Sequence, residues 1–153
     1  ESMVIRHAAC ACLLTALVLI VNNIYCADAN VTLPGKVVVV GDVFVATGKT
    51  MAFSGTSVEI GGTLTNEGTV TFAEAEAIEL NKVISSATIE MPKVTDLTLN
   101  DDITISHAST AVKLTLNTTE ASTVHVEGDV TLTTDVEAAN GAEFIVYQKK
   151  TLN

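Results

Sequence analysis

Four stretches of one design decide how this chain is read: VVVVGDVFV at 37–45, LTNEGTVTF at 64–72, LTLNDDITI at 97–105 and VHVEGDVTL at 124–132. Each sets a short alternating apolar run on either side of a polar corner, at Gly41, Gly68, Asp101 and Gly128. Alternation with a period of two, bounded by turn residues, is the signature of a strand with one face buried. The corner spacings are 27, 33 and 27, so the pattern also recurs with a period of 60, from Gly41 to Asp101 and from Gly68 to Gly128. Glycine at such a corner is expected to supply a positive φ, which Asp tolerates better than most residues.

Similar runs fill the rest of the chain, at 58–60, 88–91, 112–116 and 144–147, and Val, Ile and Thr dominate them. The stretch FAEAEAIELNKV at 72–83 is the one contender for a helix, and it lacks a helical apolar stripe. The class is therefore all-β. Two architectures use a repeated strand–corner–strand unit. In a parallel β-solenoid each unit is one coil, and equivalent strands stack from coil to coil; roughly 30 residues per coil gives about four coils. In an antiparallel β-sandwich the units are hairpins. A sandwich expects large aromatic plugs at its centre, and this chain has no Trp and 4 Phe. Small β-branched chains suit the narrow bore of a solenoid, so the solenoid is the expectation and the sandwich the alternative.

Stacked coils give each side chain a direction. Val43, Val45, Val70, Phe72, Ile103, Ile105, Val130 and Leu132 point inward. Phe44, Thr71, Thr104 and Thr131 form one outward ladder, and Val38, Thr65, Thr98 and His125 another. Thr is the commonest polar choice for an exposed strand face, and its regular rows also suit lateral packing, adhesion or ice binding. The LTNEGTVTF segment, with its Gly-Thr strand start, resembles repeats of extracellular β-helical adhesins and autotransporter-like passenger domains, and the resemblance covers most of Val37–Leu132. It implies surface display and binding rather than catalysis.

The N-terminal stretch reads as an export signal. Arg6 and His7 precede an apolar run from Ala8 to Val21, broken only by Thr15, and a small-x-small exit follows at Ala27-Asp28-Ala29. The run falls short of the roughly 20 residues that span a bilayer. Residues 1–29 are the expected secretory signal, cleaved after Ala29, and 30–153 a single β-rich domain. A retained signal anchor and lipidation at Cys26 are the alternatives. Cleavage would discard Cys10, Cys12 and Cys26, leaving no thiol. It would also discard the single Arg, leaving 16 acids against 7 Lys and a net charge of −9. A surface so acidic excludes nucleic acid as a partner and favours solubility.

No catalytic residue is expected. Neither His107 nor His125 has an evident partner, and no nucleophile motif is present. Asn100, Asp101 and Asp102 form the densest oxygen cluster, a candidate for Ca²⁺, with Glu67, Glu127 and Asp129 expected at neighbouring corners. Glu74, Glu76 and Glu79 read as a solvated strand face. Asn117-Thr-Thr119 and Asn30-Val-Thr32 fit the N-glycosylation sequon, with Asn117 the better acceptor in a eukaryote. The expectation is a secreted or cell-surface structural or adhesive solenoid without a cofactor. Its partners are a second copy or an extracellular glycan or protein, with no membrane insertion after cleavage. A carbohydrate-binding or carbohydrate-active solenoid and an ice-binding protein are the rival functions.

Overall fold

A computed structural model describes residues 2–5, 18–106, 114–147 and 151–153. Arg6, His7, Cys10, Cys12, His107 and the first part of the 112–116 run lie outside them. The described residues form a parallel β-solenoid of six coils, with strands and no helix. Strand β1 (Ser2–Ile5) precedes them. The first coil is β2 (Val18–Cys26) and β3 (Val31–Leu33); the second is β4 (Lys36–Val39), β5 (Val43–Val45) and β6 (Thr50–Phe53). The third is β7 (Ser57–Asn66) and β8 (Thr69–Phe72), the fourth β9 (Ala77–Ser85) and β10 (Thr88–Glu90). The fifth is β11 (Asp96–Leu99), β12 (Ile103–Ser106) and β13 (Leu114–Thr115), and the sixth β14 (Thr123–Val126), β15 (Val130–Thr133) and β16 (Val136–Glu137). β17 (Glu143–Val146) stacks on β14 as the start of a further turn. Every pairing among these strands is parallel. β1, β2, β4, β5, β7, β9, β11, β12, β14, β15 and β17 make one bent sheet of 11 strands; β3, β6, β8, β10, β13 and β16 make a second of six.

The coil is shorter than the unit read from the sequence, and there are six coils instead of four. Val37, Val58, Ile78 and Leu97 stack in one column, so successive coils advance the numbering by 21, 20 and 19. The period of 60 is three such coils. Gly41, Asp101 and Gly128 accordingly lie at one corner, where Gly41 N–H donates to Asn22 O, Gly62 N–H to Gly41 O and Asp101 N–H to Asn81 O. Gly68 belongs to a different corner, packed over Ala46 and Lys49. The LTNEGTVTF unit therefore turns from one sheet into the other, whereas VVVVGDVFV bends within the first. The four corners do not form one column, and the solenoid stands because true coil equivalents do.

The corner glycines serve close approach. Positive φ occurs at Gly35, Gly48 and Gly141 instead. A Cβ on Gly62 would sit 2.3 Å from Gly41 O, and one on Gly128 2.0 Å from Asp101 O. Side chains also replace backbone rungs there. Asn23 Oδ1 accepts from Asp42 N–H at 2.8 Å, Asp42 Oδ1 from Thr63 N–H at 2.8 Å, and Asp129 Oδ1 from Thr151 N–H at 3.1 Å.

Inward chains form a continuous apolar bore. All eight inward positions expected above point into it, Leu132 being only partly buried. Phe53 and Phe72 stack with centroids 5.1 Å apart. The sheet does not begin at residue 30: β2 pairs with β4 and β5, and its Val21, Ile24 and Cys26 are fully buried. Cys26 Sγ donates to Thr50 O at 3.4 Å, and burial pushes its thiol pKa up.

Candidate functional site

The outer face of the larger sheet carries two columns. One runs Ile20, Val38, Glu59, Glu79, Thr98, His125, Ile145. The other runs Tyr25, Phe44, Thr65, Ile84, Thr104, Thr131. Thr65, Thr104 and Thr131 thus share a ladder, which Ile84 interrupts between Thr65 and Thr104. Thr98 lies between Glu79 and His125. Thr71 is on the second sheet, between Ala52 and Glu90. The ladders are more mixed than expected because the shorter true coil inserts ranks that the longer sequence unit skips. That shorter period also reveals a column the sequence reading missed: Thr50, Thr69 and Thr88 stack in successive coils on the second sheet. Their even spacing was the available signal.

Exposed apolar chains on the first sheet gather at its two ends, at β17 and in the first two coils, with Ile84 between them. Its first two coils expose Val18, Ile20, Tyr25 and Val40, with half-buried Val38 and Phe44 between them. Val40, the most open of these, is 59% exposed. The charges at the border of this patch are Lys36 and Asp42. From the third coil onward the same sheet carries Glu59, Glu79 and Asp96 alongside Lys82. Neutral coils are followed by acidic ones because the outward chain at each rank changes while the inward chain stays apolar.

The oxygen cluster is dispersed in its hydrogen bonding. Asn100 Nδ2 donates to Glu79 Oε1 at 2.8 Å, and Asp101 Oδ1 accepts from Asp102 N–H at 2.8 Å. Asp101 stacks on Gly128, which Glu127 and Asp129 flank, whereas Glu67 lies at the other corner with its N–H on Val45 O. Among the described residues no three His, Cys, Asp or Glu side chains are grouped to hold a metal ion. Glu74 and Glu76 lie in a turn, and Glu74 meets Lys93 Nζ at 2.6 Å, raising the lysine pKa. Glu79 is on a solvated strand face as expected.

His125 has partners that the sequence did not disclose. Its Nδ1 is 2.9 Å from Tyr147 Oη and its Nε2 3.4 Å from Asp96 Oδ1, across three successive coils. The trio lies on an open strand face. Inside the bore, Asn66 and Ser85 are buried polar residues in consecutive coils; Asn66 Nδ2 donates to Ser85 Oγ at 3.2 Å and Thr88 O at 2.9 Å. They satisfy each other and the adjoining turns, which is a structural role. A void deeper in the bore is lined only by apolar chains, among them Leu80, Met91, Leu99 and Phe144. Asn117 is buried, and its Oδ1 accepts from Thr119 N–H, Thr119 Oγ1 and Glu120 N–H, each at 2.9 Å. A glycan there would have to be attached before this turn closes. Asn30 is occupied similarly, its Oδ1 accepting from Thr50 N–H at 2.9 Å.

Comparison with protein-family models, with curated proteins and with solved structures finds no match to the chain.

Proposed function

We propose that this is a secreted or cell-surface structural and adhesive β-solenoid, acting by contact through its sheet faces and by self-association. One observation carries the reading: the apolar patch of Val18, Ile20, Tyr25, Val38, Val40 and Phe44, bordered by Lys36 and Asp42, at one end of a sheet face whose middle coils carry Glu59, Glu79 and Asp96. Contiguous apolar surface of this kind marks interaction sites, because leaving it in water costs about 25 cal/mol per Å². Acidic coils beside it keep unlike surfaces soluble and leave the neutral coils as the place of contact. The expected partner is a second copy, or an extracellular protein or glycan that packs on Tyr25 and Phe44. Binding without product is the expected chemistry.

Sedimentation velocity over a concentration series, run beside a glycan-binding and turnover screen, tests this. The full chain is expected to associate or bind, and Ile20→Asp with Val40→Asp to abolish both at unchanged melting temperature, since these chains point outward. A strict monomer at high concentration that binds nothing would sink the proposal. Released sugar product would replace it with the carbohydrate-active alternative.

A further inference from the structure

The first coil is seated on the solenoid in a way that makes it separable. β2 lies along both β4 and β5, in register from Val18↔Lys36 to Val21↔Val39 and from Ile24↔Val43 to Cys26↔Val45. It is tied to β3 only through the bend at Ala27, Asp28 and Ala29, where the first two residues are exposed. The edge under it is shaped for this strand. Val40 N–H, Gly41 N–H and Ala46 N–H donate to the carbonyls of Val21, Asn22 and Cys26, and Asp42 O accepts from Ile24 N–H. Asn23 fits its corner because Gly41 has no side chain: a Cβ there would lie 2.3 Å from Asn23 Oδ1. Beneath sit Val37, Val39, Val43 and Val45, all buried. The occupant of this edge is therefore visible: a parallel strand with apolar chains at alternate inward positions and an Asn at the bend.

We propose that the β4–β5 edge is a strand-accepting interface, closed in the intact chain by its own β2 and opened to a second copy when the chain is cut after Ala29. This deepens the self-association reading above and rests on it for its biological setting, but not for its physics. Cutting there leaves β3 on β6, because Val31–Leu33 follows the cut, and lets β2, with β1 paired along its far side, leave the first sheet. A bare parallel edge with four apolar chains under it is a template for another strand. The one strand known to match it, VLIVNNIYC, is carried by every uncut copy. Exchange of an identical element between copies needs no new complementarity.

The full chain with Cys10→Ser and Cys12→Ser, carrying a specific protease site built into 27–29, tests this after folding. Uncut, Cys26 is expected to react with a thiol reagent at least a hundredfold more slowly than in denaturant, and a fluorescent peptide of residues 18–26 is expected not to bind. Once cut, the chain is expected to take up that peptide one-to-one in exchange for its own residues 1–29, and mixed with uncut chain to sediment as dimers or larger. The same peptide with Val21→Asp and Ile24→Asp is expected to stay free. Fast Cys26 labelling of the uncut chain, or a cut chain that neither captures peptide nor associates with uncut chain, would overturn the proposal. Peptide capture by a chain whose Ile20→Asp, Val40→Asp variant still self-associates would support it while removing the patch as the basis of the adhesive reading.

Discussion

At Gly128 an added methyl group would sit 2.0 Å from the carbonyl oxygen of Asp101, and that oxygen belongs to a backbone stacked between neighbouring coils. Neither side can yield without opening the ladder, so Gly128→Ala is expected to lower stability by about 1–3 kcal/mol, as overpacking does. Gly48 is the control: it has open space around it but a φ of 76°, so Gly48→Ala should cost about 1–2 kcal/mol through left-handed strain alone. Urea denaturation of both variants measures this; a Gly128→Ala variant as stable as the parent would refute the close-approach account. The corner glycines at 41 and 128 stand out in the sequence as turn punctuation. Their reason does not, because a clash with the coil below depends on which residue lies below, and that requires the true coil length. Asn66 is hidden for the same cause: LTNEG reads as a polar corner, yet Asn66 faces the bore and meets Ser85 of the next coil.

Strands are legible one at a time and their neighbours are not. Alternation alone identifies β4, β5, β12 and β15 and tells inward from outward chains, since direction is a local property of the pleat. Pairing is nonlocal, and a Val- and Thr-rich chain offers several alignments of similar quality. The contender for a helix contributes β9, whose Glu79 stacks on Glu59 of β7. Two carboxylates about 4.8 Å apart on adjacent strands repel, and Asn100 Nδ2 relieves only Glu79. Glu59→Thr is therefore expected to stabilise the protein by roughly 0.2–1 kcal/mol, with the gain shrinking as salt screens the pair. Thermal melting at low and high ionic strength checks this; equal gains at both would show that strand propensity, and not repulsion, was relieved.

Across the whole molecule, the six coils rise about 29 Å at roughly 4.8 Å each, and each coil touches chiefly the one before and the one after. Fold class is readable because every coil repeats the same inward chemistry; coil number is not, because three short coils imitate a single long repeat. The surface patch is half legible: Val38 and Phe44 read as outward chains, but their partners Ile20 and Tyr25 read as part of a leader. One step departs from the rest: the column advances by 27 from Leu97 to Val124, and by 18 to 21 at every other rank. The ladder counts strands and is indifferent to the length of chain that returns between them. A flexible peptide of a dozen amino acids inserted between exposed Glu120 and Ala121 should then shift the melting temperature only slightly, since loop closure costs about 0.6 kcal/mol per doubling of length. A large loss of stability on calorimetry would show that this return path is fixed. If the insertion is tolerated, the turn from β13 to β14 is a port at which lineages can graft new sequence and experimenters can hang cargo without retuning the scaffold.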